Sequence, residues 1–171
     1  TDNSSVRSIS EELYKKNKEI NDTLLETKEL ANQLGEEKKK IEIILENIID
    51  VVIYVDDNSK ILLVNKAFER EFDLKKEDVL GKELQQILSF DDDIKKLNLS
   101  ELELLAPNKN QQTKITHPIK ISSTKTIYGT VGISVITNEE NKKRTIYTIH
   151  NKTKEHELEN MKLDFVSMAA H

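Results

Sequence analysis

A seven-residue repeat of apolar side chains runs through the first fifty residues of this 171-residue chain. One set recurs every seventh residue, and we assign it to heptad position d: Leu13, Ile20, Thr27, Leu34, Ile41 and Ile48. A second set follows four residues after each of the first five, at position a: Asn17, Leu24, Ala31, Lys38 and Leu45. A strict seven-residue period predicts a left-handed supercoil with a partner helix. The alternative is one amphipathic helix packed on its own domain, and the length of the pattern favours the coiled coil.

The residues at positions a and d, which we call the seam, predict the oligomeric form of the coiled coil and the weakest part of its interface. Asn17 at an a position can pair with its own copy, which favours a parallel homodimer in a single register. In the middle, Thr27 and Ala31 bury little, Gly35 costs about 1 kcal/mol relative to alanine, and Lys38 brings a charge into the interface. These residues indicate either a signalling helix with two close-lying packings or an imperfect spacer.

The start of the helix is predicted from a capping signal. Ser8 and Glu11 have the spacing of a capping box, in which both side chains satisfy free amides of the first turn. We therefore expect residues 1–8 to be disordered or a linker, and the coiled-coil helix to span residues 9–48.

Charge and composition exclude several classes of function. The 26 basic and 31 acidic residues are interleaved and give a net charge of −5, so no basic surface for nucleic acid is indicated. The chain has no cysteine, which excludes disulfides, thiolate metal sites and cysteine nucleophiles. No apolar run reaches the roughly 18 residues of a membrane span. Because the chain lacks an initiator methionine, we expect a segment of a longer protein, whose missing N-terminal part leaves room for a membrane tether. The absence of cysteine fits a reducing cytoplasm, and we expect the segment to be cytoplasmic.

Near Asp50 the helical period gives way to short runs rich in β-branched residues. Five strands are predicted, and they cover residues 51–55, 61–64, 113–122, 125–137 and 144–150. Polar turns at 56–60 and 138–142 join neighbouring strands, and Pro118 fits an edge strand. Between the second and third strands lie short helices at 65–72 and 77–81, with one or two helical pieces in 92–105. This order predicts an α+β domain in which a five-stranded antiparallel sheet carries helices on one face.

This order of elements resembles a PAS domain over residues 49–153. The resemblance depends on residues 55–68, on residues 77–82, and on the strand that leaves through Asn151-Lys152-Thr153. Asp73 stands where the family often has glycine. Asn151 stands in an exit motif that is usually Asp-Ile-Thr, so the charge of the usual exit salt bridge is lost. Thr153 is expected to cap the helix that begins near residue 154.

PAS domains bind flavin, haem, metals or small metabolites, or bind nothing. Without cysteine, flavin-adduct photochemistry is excluded, and residues 92–106 contain no histidine to act as the usual haem ligand. His117, His150 and His156 are scattered without metal-ligand spacing. We therefore predict no cofactor and no metal in this segment, and we leave the ligand of the PAS pocket open. The pocket holds either a metabolite or, by close packing, the domain's own side chains.

The last residues predict a second amphipathic helix. Its apolar stripe has 3-4-3 spacing and consists of Leu158, Met161, Phe165 and Met168. The run Phe165-Val166-Ser167 before His171 resembles the start of the H-box of sensor histidine kinases. This resemblance implies that residues 154–171 open the dimerisation and phosphotransfer helix and that His171 is the phosphoacceptor. The alternative is a terminal histidine without function.

Together, the resemblances imply a signal-sensing and signal-transmitting segment of a two-component sensor histidine kinase. The segment would relay a conformational change through a parallel homodimer to His171, and the parent protein would pass the phosphoryl group to a response regulator. ATP and Mg²⁺ would act in the parent kinase. Since the chain contains no ATP-binding domain, we expect no autophosphorylation by the segment alone. The alternatives are a PAS and coiled-coil dimerisation module of a non-kinase protein such as a cyclase, or a structural coiled coil with an incidental globular cap.

Overall fold

The computed structural model describes residues 2–92, 96–104 and 112–171. The chain divides into two compact units, of which the first ends at Ile44 and the second begins at Leu45. Helix α1, Asp2–Asn47, makes up the first unit and continues for three residues into the second. No residue of α1 is buried. Of the six large apolar side chains at its seam positions, Leu45 is half-buried, and the other five are between 54% and 70% exposed in the single chain: Leu13, Ile20, Leu24, Leu34 and Ile41.

The N-terminal boundary predicted for this helix is wrong. Residues 2–8 are helical and belong to α1, whereas the sequence predicts disorder or a linker there. Ser8 and Glu11 therefore lie inside the helix and do not start it. The reason is that residues 2–7 contain no proline or glycine, and extending an existing helix costs far less than nucleating one. The helix ends at Asn47, so the last seam residue, Ile48, lies directly after it.

The second unit contains a seven-stranded antiparallel sheet. Its strands are β1 (Val51–Val55), β2 (Ile61–Val64), β3 (Ser89–Asp91), β4 (Lys96–Leu97), β5 (Gln112–Ser122), β6 (Thr126–Thr137) and β7 (Lys143–Asn151). Their order across the sheet is β2-β1-β7-β6-β5-β3-β4. The five predicted strands are confirmed, and the short strands β3 and β4 are additional.

Five short or medium helices complete the second unit. They are α2 (Lys66–Phe72), α3 (Lys76–Val79), α4 (Leu84–Ile87), α5 (Leu99–Leu104) and α6 (Thr153–Ala170). Helix α5 is the helical piece of the 92–105 region that falls within the described residues. In the rest of that region Lys96–Leu97 form strand β4 and not a helix, while residues 93–95 and 105 lie outside the described residues. Across the described parts of the chain, no helix combines the length and the apolar character that crossing a bilayer requires.

The core lies between the short helices and one face of the sheet. Alternate residues of the strands point into it, and Val51, Ile53 and Val55 of β1 are buried. Phe68 and Phe72 of α2 add two fully buried rings whose centroids are 5.3 Å apart. The predicted α+β class, with helices on one face of an antiparallel sheet, is therefore confirmed.

The turns form as their residues predict. Asp56 accepts hydrogen bonds through Oδ1 from the amides of Asn58 and Lys60, and this closes the β1–β2 turn. Asp73 ends α2 in the left-handed conformation with φ 54°, which an aspartate can adopt where the family often has glycine. Pro118 lies in a register shift of β5, beyond the residues that β3 pairs with. It therefore occupies the kind of irregular, edge-like position that proline tolerates.

Candidate functional site at the helix junctions

The segments that enter and leave the PAS-like unit meet at the same end of two neighbouring interior strands. Strands β1 and β7 are antiparallel neighbours, and Val51 at the start of β1 lies opposite Ile149 near the end of β7. Residues 45–50 lead into β1, and α6 follows β7 after a single residue, Lys152. The segment that enters the sheet and the segment that leaves it are therefore neighbours.

Asn65 fixes the entering segment, and we call it the entry anchor. Asn65 is buried, with 4% of the residue exposed. Its Oδ1 accepts hydrogen bonds from the amide of Phe68, at 3.2 Å, and from the amide of Val52, at 3.0 Å. Its Nδ2 donates to the carbonyl oxygens of Asp50, at 2.8 Å, and of Leu45, at 3.3 Å. One buried amide thus caps α2 and ties it to β1 and to the last turn of α1.

Asn151 fixes the leaving segment, and we call it the exit anchor. Its Nδ2 donates to Oε2 of Glu71 at 2.7 Å, while its Oδ1 accepts from the Thr153 amide at 2.9 Å. The Thr153 hydroxyl donates to the same Oδ1 and accepts from the amide of Tyr128 at 3.0 Å. A hydrogen-bond network between the neutral Asn151 amide, the Glu71 carboxylate and Thr153 therefore occupies the place of the usual exit salt bridge. Thr153 is the first helical residue and not the cap, because Asn151 accepts its amide.

Two polar contacts connect the entering and leaving segments. Arg70 donates to the carbonyl oxygen of Ile49 at 3.3 Å and lies 3.6 Å from Oε1 of Glu71, the residue that binds the exit anchor. His150 Nδ1 lies 2.6 Å from Oδ1 of Asp50. Both contacts are partly exposed, so each contributes at most about 1 kcal/mol. Ile49 is thereby linked through Arg70 and Glu71 to the exit anchor at the start of α6.

The predicted apolar stripe lies on α6, and the predicted phosphoacceptor, His171, follows directly after the helix. His171 is exposed. The four stripe residues of α6 are between 54% and 78% exposed: Leu158, Met161, Phe165 and Met168. The start of α6 is packed, since the His156 ring stacks on Tyr128 with centroids 3.9 Å apart. The structure thus couples the beginning of the helix to the sheet and leaves its apolar stripe open.

The other histidines do not converge. His117 lies 3.3 Å from Asp92, His150 pairs with Asp50, and His156 stacks on Tyr128. Within the ranges that the structure describes, no three histidine, aspartate or glutamate side chains gather as a metal-binding group. Sequence reasoning missed Asn65 and Glu71 as junction residues. An available signal was the position of Asn65 at the very start of a predicted helix, since asparagine is typical of an N-cap.

Replacing Asn151 with aspartate tests the exit anchor. We expect Asn151→Asp to lower the free energy of unfolding by about 1–2 kcal/mol, because it removes a donor and sets a second carboxylate against Glu71. Adding Glu71→Gln should recover most of that loss, since the glutamine amide can donate to the new carboxylate. Urea denaturation followed by circular dichroism measures both effects. Asn138→Asp is the matched control, because Asn138 uses only its Oδ1, on the amide of Lys142. An equal loss in the control variant would contradict the proposed contact.

Comparison with known proteins identifies the fold. A sequence profile described as the PAS fold matches residues 39–152. No protein of curated function matches the sequence significantly. Among solved structures, the chain is similar to the PAS domain of an HTR-like protein from Haloarcula marismortui, with a TM-score of 0.57 and 18% identity over 72% of this chain and 98% of that one. It is also similar to a PAS domain from a two-component sensor histidine kinase, with a TM-score of 0.53 and 20% identity over 69% and 98% of the two chains. At these identities the similarity establishes the fold.

Proposed function

The chain belongs to the PAS fold family, and from that premise we propose that it senses a signal and relays it within a two-component sensor histidine kinase. The observation that carries this proposal is the junction described above. The last turn of α1 and the first turn of α6 are anchored at the same end of the neighbouring strands β1 and β7. A displacement of either helix end is therefore felt by the other through the linked residues Arg70, Glu71 and Asn151.

The two terminal helices support a dimeric relay. Both carry apolar stripes that a single copy leaves exposed, and exposed apolar surface of this extent indicates a partner. Under the proposal, α1 forms a parallel two-stranded coiled coil and α6 begins the bundle that carries His171. A change in α1 packing or in the PAS interior shifts the equilibrium between two arrangements of α6.

Phosphoryl transfer defines the chemical output. In the proposed parent protein, a neutral ring nitrogen of His171 attacks the γ-phosphorus of ATP, the bond to the β-phosphate oxygen breaks, and ADP leaves. The ring proton passes to a base, and the phosphoryl group then moves to an aspartate of a response regulator. The nucleotide and Mg²⁺ belong to another domain of that protein. This chain contributes the acceptor and the helix that positions it.

The full-length gene product that contains this chain provides the test. With ATP labelled at the γ-phosphate, we expect acid-labile phosphate on the protein, and we expect His171→Gln to abolish it. His156→Gln is the control, because His156 lies on the same helix and stacks on Tyr128. In the same protein, Asn151→Asp should change the labelling rate without removing the acceptor. Labelling that persists in His171→Gln would contradict the phosphoacceptor assignment, and an unchanged rate in Asn151→Asp would contradict the relay. A product with no labelling at all would favour a non-kinase output.

A further inference from the structure

Tyr128 of β6 contacts the first turn of α6 through three different groups. The pairing of β6 with β7 ends at Gly129, which lies opposite Asn151, and the backbone of Tyr128 beyond it bonds to α6 instead. The Tyr128 carbonyl oxygen accepts a hydrogen bond from the Lys152 amide at 2.7 Å. The Tyr128 amide donates to the Thr153 hydroxyl at 3.0 Å. The main chain of one residue thus attaches the start of α6 to the sheet.

The ring of Tyr128 makes the third contact with the same helix. It stacks on the imidazole ring of His156, with the ring centroids 3.9 Å apart and the ring planes inclined by 17°. Thr153 and His156 are three residues apart, so they lie on the same face of α6. From Glu157 to His171 every residue is exposed in the single chain. His156 is therefore the last partly buried residue of α6, and the ring stack lies where the helix leaves the sheet.

The backbone and the ring of Tyr128 restrain α6 in different ways. Both main-chain hydrogen bonds end within residues 152–153, so by themselves they leave the helix free to turn about that point. The stack on His156 lies almost one turn further along, and contacts at two points of one face fix both the direction and the rotation of a helix. Any residue other than proline at position 128 keeps the main-chain bonds, whereas the stack needs an aromatic ring. The stack can therefore be removed without detaching the helix.

The rotation of α6 determines the side on which His171 is presented. Thr153 and His171 are 18 residues apart, which is five complete turns at 3.6 residues per turn. By this period His171 falls on the same face as Thr153, about 27 Å along the helix. We infer that Tyr128 is a positioning residue, which sets the rotation of α6 and with it the side on which His171 is presented. This inference rests on the proposed function for the role of His171 and adds the residue that controls its presentation.

Spin labels on the complete 171-residue chain test the restraint without requiring any activity. Because the chain has no cysteine, Lys60→Cys and Lys162→Cys place one label at the end of the β1–β2 turn and one on α6, both at exposed positions. The labelled chain is diluted into an excess of unlabelled chain, so that pulsed electron paramagnetic resonance reports distances within one protomer. We expect a narrow distance distribution in the parent chain, the same distribution in Tyr128→Phe, and a broader one in Tyr128→Leu. Tyr54→Leu is the matched control, because it removes another half-buried tyrosine ring from the sheet, and it should keep the narrow distribution.

The full-length gene product connects the restraint to the output. With ATP labelled at the γ-phosphate, Tyr128→Leu should change the labelling rate at His171 by roughly threefold to tenfold, the factor that corresponds to the loss of one aromatic pair. Tyr128→Phe and Tyr54→Leu should keep the parent rate. His156→Gln removes the other ring of the stack, so it should keep the acceptor and match Tyr128→Leu in both measurements.

The two measurements separate this inference from the proposed function. A distance distribution in Tyr128→Leu that is as narrow as in the parent chain would overturn the restraint, whatever the labelling shows. A broader distribution with an unchanged labelling rate would overturn the control of His171 presentation. A parent protein without any labelling at His171 would overturn the phosphoacceptor and that control together, and the distance distribution would then decide the restraint alone.

Discussion

Asn65→Ala is expected to lower the free energy of unfolding by about 3 kcal/mol. The substitution removes an N-cap, which is worth roughly 1 kcal/mol. It also leaves the Val52 amide and the Asp50 carbonyl group without the partner that they have in the parent chain. An unsatisfied buried group costs about 1–3 kcal/mol, so the total exceeds the value of a cap alone.

Asn98→Ala is the matched control for this prediction. Asn98 also accepts an amide hydrogen bond through Oδ1, from Glu101 at the start of α5, but that contact is exposed. The control should cost about 1 kcal/mol. Urea denaturation gives both free energies, and hydrogen exchange at the Val52 amide reports the local opening. Equal losses in the two variants would show that Asn65 is only a helix cap. A slow Val52 amide in Asn65→Ala would contradict its role in holding the entering segment.

The fold was predictable because its strands are long and its turns use residues with strong backbone preferences. Strands β5, β6 and β7 have 9 to 12 residues each, long enough for their composition and bounding turns to predict them. The Asp56 and Asn138 turns are closed by side-chain oxygens. Strands β3 and β4 were not predictable, since three and two residues are too few for any period to appear.

The junction was only half predictable, because it depends on contacts between residues far apart in sequence. The exit motif drew attention to Asn151 and Thr153 through its departure from the family pattern. Its partner Glu71 is 80 residues away and looks like an ordinary helical surface glutamate in the sequence. The 100-residue separation of Asp50 and His150 likewise hides their contact. Pairing of β1 with β7 brings both sets together, and no local pattern specifies which polar side chains then meet.

Leu24→Lys is expected to dissociate the proposed dimer, and it tests the heptad assignment on which the proposed relay depends. Leu24 is assigned to an a position, so the variant would place two ammonium groups in one layer of the seam. Burying unpaired charges there should raise the dimer dissociation constant at least roughly a hundredfold, or about 3 kcal/mol. Since an isolated helix is marginal in water, the helical circular dichroism signal should fall as well. Sedimentation equilibrium over a concentration series measures the association.

Leu25→Lys is an unusually close control for this variant. Leu24 and Leu25 are the same residue type on the same helix, and each is 61% exposed in the single chain. Only a partner helix can distinguish them, because position b points away from the seam whereas position a points into it. The Leu25 variant should therefore keep the parent dissociation constant. Dissociation by Leu25→Lys with no effect of Leu24→Lys would mean that the seam runs along another face. Equal effects of the Leu24 and Leu25 variants would favour a partner that surrounds the helix. Each of these two outcomes would contradict a two-stranded coiled coil in this register.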